Sequence, residues 1–513
     1  MLYACILAFC IVVKVVSYWR SHRARQYPPG PPAVPFIGNL KDLPRENEVA
    51  VYAQWAKQYG DLVHIEVLGR HIVFVNSIRV ANDLFEKRSA NYSDRNALPM
   101  INDLMGWDWS FGHMPYGDRW RAHRKMFHTQ FQPSSVSQFR PIQLKEAHAI
   151  LRRLLDEPDA LIDHLRLNAA SSIMKVVYGI DVAPKDDYYI TIAERALDGM
   201  AKAASPGAFL VDILPILKYV PAWFPGASFQ KKAKEWKKVT LEMRDAPFNS
   251  VAASMVEGTA SPCFVSNLLD DIDPDAVSQR EIIKGCAGLA YAGGCPHAEV
   301  SSLSCFVLAM VLYPEVQSKA QAELDRVVGD KRLPVFSDHD SLPYIDALVK
   351  EVLRWNPVAP LGLPHMATND DEYNGYFIPA GTTVIGNTWT ILHDSEMFPN
   401  PERFSPERFL HMPHPKGPGA RLDPNVDPVS TAFGYGRRIC PGRFMAEGHL
   451  WIHIASILSV FDIRQAVDVF GQRIKVEALF DTGMISHPLP FKCEIAPRGK
   501  AARALIEQTA LLS

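Results

Sequence analysis

Phe433-Gly434-Tyr435-Gly436-Arg437-Arg438-Ile439-Cys440-Pro441-Gly442-Arg443-Phe444 is the stretch that decides how the rest of this sequence is read. An apolar-periodic helix carrying Met445, Leu450, Ile454 and Leu458 follows it. Pro441 suits the first helical position, where its missing N–H costs nothing. Cys440 is then expected at the helix N-terminus, where orphan N–H groups and the helix dipole favour a thiolate over a thiol. A thiolate held like this is either a nucleophile or a metal ligand, and its neighbours favour iron. Gly436 permits a tight turn, and Gly442 lets the helix backbone approach a flat macrocycle closely. Phe433 is placed to shield the sulfur from water and Arg438 to pair a buried propionate. The competing reading is a structural cysteine buried in a glycine-rich loop.

These residues match the pattern F-x-x-G-x-R-x-C-x-G at every defined position, and in this the chain resembles the cytochrome P450 family, most of all its fungal microsomal members. The resemblance implies a mainly α fold with small β-sheets, in a single large domain with an N-terminal transmembrane anchor. It also implies haem b (iron protoporphyrin IX) between two central helices, with Cys440 as axial ligand. A thiolate ligand pushes electron density onto iron and favours O–O cleavage. Glu351 and Arg354 stand three apart, on one helix face. They resemble the family's E-x-x-R pair, and Pro406-Glu407-Arg408-Phe409 resembles the later element that supplies a third charge. Buried ions need full pairing, which suggests a Glu351–Arg354–Arg408 network bracing the thiolate loop. Trp120 and Arg124 resemble the W-x-x-x-R helix that addresses a haem propionate, and His365 falls where the family often has another propionate partner. In isolation these three read as an amphipathic surface helix and a structural histidine.

The pattern breaks at one place. Where the family has (Ala/Gly)-Gly-x-(Asp/Glu)-Thr, this chain has Ala292-Gly293-Gly294-Cys295-Pro296-His297-Ala298-Glu299. Gly293 and Gly294 are expected to leave room for dioxygen, but the acid–alcohol pair is missing. Splitting dioxygen needs ordered proton delivery. Pro296 removes a helical hydrogen bond and frees a carbonyl near Ala292. His297 or Glu299 then becomes the candidate proton relay; the bland alternative has both side chains facing solvent.

The remaining sequence sets the surroundings. The chain has 513 residues, 48% hydrophobic and 21% charged, ample for a large core. Its formal charge of −2 offers no basic field for nucleic acid. Eight scattered cysteines show no C-x-x-C spacing, so no disulfide framework is expected. Residues 1–19 read as a membrane anchor, with Lys14 snorkelling and Trp19 at the headgroups; Arg20, Arg23 and Arg25 after it place the remainder in the cytosol. Residues 20–32 form a basic and proline-rich hinge, and 33–513 the catalytic domain. Val63–Val67 and Ile72–Val75 flank Leu68-Gly69-Arg70 as a hairpin, a second β-rich patch surrounds Asn374-Gly375, and a third is expected near Ile474–Pro490. Leu144–Leu155, Leu268–Met310 and Pro314–Val328 carry helical periodicity. His411–Ser430, rich in Pro, Gly and Asp, is expected to be ordered but irregular.

Leu98–His113 contains Met100, Leu104, Met105, Trp107, Trp109 and Phe111, and in the resembled family this loop covers the substrate. Its aromatic content suits an apolar guest, or simply packs the loop. Tyr219–Pro225 resembles the loop that dips into the membrane beside the access channel. Arg119, Arg121, Lys125, Arg437 and Arg443 offer a basic patch to an acidic flavoprotein. The leading expectation is a monooxygenase of the endoplasmic reticulum membrane, drawing NADPH electrons through NADPH-cytochrome P450 reductase and oxidising a small lipophilic substrate. A haem-thiolate isomerase or lyase, or a haem protein without catalysis, are the alternatives.

Overall fold

The computed structural model describes residues 25–44, 46–204, 207–294, 297–410, 427–481 and 483–512. The expected anchor, with Lys14, Trp19, Arg20 and Arg23, lies outside the described residues, as do Cys295, Pro296 and most of the segment 411–430.

Among the described residues, eleven helices have twelve residues or more. In chain order they are α1 (Glu48–Tyr59), α2 (Asp118–Phe131), α3 (Arg140–Asp156), α4 (Leu161–Tyr178), α5 (Tyr188–Ala204), α6 (Ser228–Val256), α7 (Val277–Gly294), α8 (His297–Leu312), α9 (Pro314–Val327), α10 (Pro343–Trp355) and α11 (Arg443–Val460). Prolines open α9 and α10 in the first turn, where no donor is lost. Gly179, at a φ of 67°, closes α4 in the left-handed conformation that an L side chain resists.

Two apolar clusters hold the helices together. One joins α3, α8, α10 and α11. The other joins α2, α4, α6 and α7 with the Met100–Phe111 segment. Helices α3, α4, α8 and α11 pack on one another as a four-helix core, while α7 lies against α2, α4 and α6. The stretch Val277–Leu312 is apolar and long enough to cross a membrane, yet 87% of its most apolar window is buried inside the protein. A helix apolar on all sides belongs in a core of this size. The expected continuous helix Leu268–Met310 is therefore divided: Phe264–Asp270 is a separate short helix. The run Asp270-Asp271-Ile272-Asp273-Pro274 interrupts it, since proline disfavours helix in the residue before it.

The β structure gathers to one side. Strands β1 (Leu62–Val67) and β2 (Arg70–Val75) form the expected hairpin, with Leu68 and Gly69 alone in the turn at φ 51° and 81°. Strand β3 (His365–Met366) pairs only at the far edge, β4 (Asp371–Tyr373) and β5 (Tyr376–Ile378) form a hairpin on Asn374-Gly375, and β6 (Thr383–Gly386) joins β2 in parallel. The sheet order is β1-β2-β6-β3. The third β patch is displaced from its expected place. The strands are β7 (Phe461–Gln465) and β8 (Cys493–Pro497), and among the described residues between them only isolated bridges occur. Pro488, Pro490 and Gly483 remove donors or stiffness from the intervening stretch, so pairing moves to its flanks. The prolines at 28–32 lie against β1: His64 donates its N–H to Pro29 O, and a Cβ on Gly30 would sit 2.0 Å from His64 O.

Candidate active site

Cys440 ends the loop expected to carry it. Its N–H donates to Phe433 O at 2.8 Å, closing the turn, and Gly436 stands at a φ of 56° with its absent Cβ only 2.1 Å from Phe85 O. No other residue fits there. Helix α11 begins at Arg443, two residues later than Pro441, because Pro441 and Gly442 form the turn into it. The sulfur nevertheless faces the backbone N–H groups of Gly442 and Arg443. Burial pushes the thiol up, while those N–H groups and the guanidinium groups of Arg124 and Arg443 pull it down. An iron bound there would decide that contest, since a ligating thiol is deprotonated outright. The nearest atom to a Cβ on Gly442 would be Cys440 Sγ, at 3.9 Å, so the face beside the sulfur is open.

Beside the sulfur lies an excess of buried positive charge. Arg438 stacks 4.5 Å over the Trp120 ring and donates to the carbonyls of Ser93, Phe111 and Met114. Arg95 donates to the carbonyls of Gly112, Leu363 and Pro364. Burial and mutual repulsion lower Arg95 to about 9, and burial lowers Arg124 and Arg438 to about 10. The same burial and the same cations hold His113 down to about 4 and His365 well below its usual range. Asp94 is the nearby carboxylate that offsets them. Trp120 Nε1 and His113 Nδ1 are buried with no hydrogen-bond partner among the described residues. Three buried guanidiniums against one acid, with two orphaned ring nitrogens, fit a group that brings carboxylates of its own.

The structure thus brings Cys440, Arg438, Trp120, Arg124 and His365 around one place, although they come from three distant parts of the chain. Phe433 is half-buried against the core, close to the loop rather than remote from it. Nothing in the sequence marks Arg95 or His113 as site residues. Both sit in irregular segments without periodicity, and nothing local to them signals that they face Arg438.

A second cluster is a buried network of charges. Glu351 meets Arg354 through two contacts of 2.7 and 3.0 Å, Arg408 at 3.1 Å and the Ser405 N–H at 2.7 Å. Arg354 also donates to Leu392 O and Pro401 O. Glu351 and Arg354 are entirely buried. Every charge there has a partner.

Sequence comparison gives the family. The family model described as Cytochrome P450 matches residues 28–491. The chain belongs to the cytochrome P450 family. It is 46% identical over 508 residues to a cytochrome P450 monooxygenase of Armillaria gallica, covering 98% of this chain and 97% of that one. It is 44% identical to cytochrome P450 monooxygenase 98 of Postia placenta, over 97% of this chain and 95% of the relative. It is 41% identical to a tryptamine 4-monooxygenase of Psilocybe cyanescens, over 96% and 97%. A haem-iron cofactor follows from the family, and the protein is a haem-thiolate monooxygenase of secondary metabolism that puts one atom of dioxygen into a lipophilic substrate.

The departure from the P450 pattern is informative. A Cβ on Gly293 would meet nothing within 4 Å, whereas one on Gly294 would lie 2.7 Å from the Ile173 side chain of α4. Only the first glycine leaves space; the second is a packing contact. The side chain of His297 lies outside the described residues. Glu299, in the first turn of α8, does not face solvent: its side chain is 12% exposed and its Oε2 stands 3.2 Å from Nε2 of His449, which is fully buried. That contact lacks hydrogen-bond angles. Burial pushes the Glu299 carboxyl up to about 8 and the His449 imidazole far down, so both are neutral near pH 7. A carboxyl raised this way stabilises the fold fully below its unfolded value, and the stabilisation is lost as pH rises through about 8. Glu299→Gln removes that dependence. Thermal melts from mildly acidic to mildly alkaline buffer should show a shallower decline for the variant than for the native protein; parallel curves would contradict the buried neutral acid.

Helix–helix packing also revises the loop 98–113. Trp107 and Trp109 are buried and stacked at 5.1 Å, and a Cβ on Gly288 of α7 would touch Trp109 at 2.9 Å. Trp109 is a wedge between the loop and α7, so part of this aromatic content packs the loop itself.

Proposed function

We propose that the chain binds haem b with Cys440 as axial ligand, Arg95, Arg124, Arg438, His113, His365 and Trp120 around its propionates, and Phe433, Gly436 and Gly442 shaping the thiolate loop. The observation that carries this reading is the excess of buried cations beside Cys440 with one carboxylate to offset them. When bound, the haem iron supplies dioxygen activation. This chain's residues supply the rest: Arg124 and Arg443 neutralise charge at the sulfur, Gly293 leaves space on the α7 side, and Glu299 donates protons in place of the missing acid–alcohol pair. His297 remains the alternative donor. A carboxylic acid with a value near the working pH suits such a role.

Electrons come from NADPH through NADPH-cytochrome P450 reductase. Arg119, Arg121, Lys125 and Arg437 are exposed beside the thiolate loop, which supports electrostatic steering of an acidic flavoprotein. Three of them are already engaged, Arg119 with Asp108, Arg121 with Asp118 and Arg437 with the Tyr116 hydroxyl. The test is reductase-dependent NADPH turnover by the purified holoprotein with a panel of terpenoids, indole-ethylamines and fatty acids. The panel includes tryptamine because one relative is named for it. Absence of any oxygenated product would reject the reading.

The same reading places the protein at the endoplasmic reticulum membrane through residues 1–19, with its catalytic domain in the cytosol. A second membrane contact is supported by Leu210, Leu214, Ile216, Tyr219, Trp223 and Phe224, all exposed, with Trp223 at 80% and Phe224 at 52%. An apolar patch this dense marks a binding surface. Trp223→Ser with Phe224→Ser in a form lacking residues 1–19 should weaken sedimentation with liposomes several-fold. Unchanged sedimentation would remove the patch from the account.

A further inference from the structure

We infer that the opening turns of α6 hold the catalytic domain against an anionic phospholipid leaflet, with Lys231, Lys232, Lys234, Lys237 and Lys238 taking the charged headgroups. The inference rests on the exposed apolar patch at 210–224 being a membrane contact, as proposed above, and adds a second chemistry to that contact. Between Ile213 and Leu241 the sequence carries six lysines and one acid, Glu235. The five lysines of α6 are all exposed, while Ala233, Val239 and Thr240 of the same turns are buried. Trp236 fixes the rotation of the helix. Its half-buried ring meets Phe209 edge-on at 6.0 Å and lies 3.0 Å from where Gly199 of α5 would carry a Cβ. Lys231, Lys234 and Lys238 then share one outward face, at spacings of three and four residues, with Lys232 and Lys237 on its flanks.

This arrangement costs the helix. Like charges three and four residues apart repel, as Lys231 does with Lys234 and Lys234 with Lys238. α6 opens at Ser228 with no acid in its first turn, and cations near that end oppose the helix dipole. Among the described residues none of the five lysines forms an ion pair. Two acids that could have served are taken by other lysines: Asp198 by Lys202 at 2.6 Å and Asp103 by Lys218 at 2.7 Å. Local rules broken together, with no compensation inside the protein, mark a functional surface. An anionic partner removes the repulsion.

Continuity with the apolar patch says which partner. The lysines begin soon after Phe224, and Gln230 Nε2 donates to Lys218 O at 2.9 Å, tying the first turn of α6 to the segment that carries Ile216, Tyr219 and Trp223. Exposed rings beside a dense band of cations match a bilayer, where apolar side chains enter and lysines meet the headgroups. An acidic protein would use the cations and leave Trp223, 80% exposed, and Ile216, 71% exposed, in water. Each lysine held near an anionic leaflet strengthens attachment about fivefold. The band and the patch together set how the catalytic domain lies on the membrane.

The test uses full-length holoprotein in phosphatidylcholine vesicles, with or without phosphatidylserine. Acylation by acetic anhydride, an uncharged reagent, is followed residue by residue by mass spectrometry. The five α6 lysines should react several-fold more slowly when phosphatidylserine is present, and high salt should erase the difference. Lys319 of α9 should react alike in both vesicles; equal slowing there would reduce the effect to vesicle charge alone and overturn the inference. In a variant with Lys231→Gln, Lys234→Gln and Lys238→Gln, the remaining Lys232 and Lys237 should lose most of their dependence on phosphatidylserine. Lipids with a photoactivatable acyl chain report the apolar patch separately, through crosslinks to residues 210–224. If the α6 lysines react equally in both vesicles while those crosslinks form, the lysine contact is overturned and the patch stands. If the crosslinks are absent as well, both fall. Should inorganic phosphate or the reductase slow the five lysines in phosphatidylcholine vesicles as much as phosphatidylserine does, the leaflet is not their partner and the inference fails.

Discussion

Cys440→Ala should yield a protein that folds but has no red-shifted absorption band when reduced and treated with carbon monoxide, and forms no oxygenated product. Changes outside a metal's ligand shell cost roughly 10- to 100-fold, and removal of the ligand itself should exceed that. The geometry gives no substitute. The loop is closed by the Cys440 N–H on Phe433 O and by Gly436 against Phe85 O, both backbone features that survive the substitution. The loop therefore persists while the sulfur is lost. The reduced spectrum separates the two outcomes, and retention of the band in Cys440→Ala would end the haem-thiolate assignment of this residue.

Arg354→Ala should have the largest effect on stability. It leaves the fully buried Glu351 carboxylate with Arg408 and one backbone N–H, and it strips donors from Leu392 O and Pro401 O. Breaking a buried pair by removing one partner costs about 3–5 kcal/mol, against a total stability of roughly 5–15 kcal/mol for a protein domain. Low haem content and a sharply lowered melting temperature are expected. Arg408→Ala should be milder, because Glu351 keeps its two contacts with Arg354. Denaturant titration of both variants measures the difference; equal midpoints would show that the network is not the brace described here.

Legibility in the sequence followed distance along the chain. The turn at Asn374-Gly375 was readable because left-handed turn conformations select those residues. The pairing of Glu351 with Arg354 was readable because three residues make one helical turn. The β7–β8 pair was misplaced, since its two strands are separated by a long stretch whose prolines carry no register. Gly294 was expected to leave space like its neighbour; its contact with Ile173 depends on how α4 crosses α7, which no local pattern encodes.

From the residues alone, the candidate iron ligand, the helical character and the local turns of this protein are legible, because each of those follows from chemistry within a few residues. Tertiary packing decided which distant side chains share a dielectric environment. Residues 95, 124 and 438 became one cationic cluster, and 299 and 449 one neutral pair, only when helices and loops far apart in sequence excluded water from the same volume. Charge and proton affinity respond to that exclusion, and the order of amino acids does not display it.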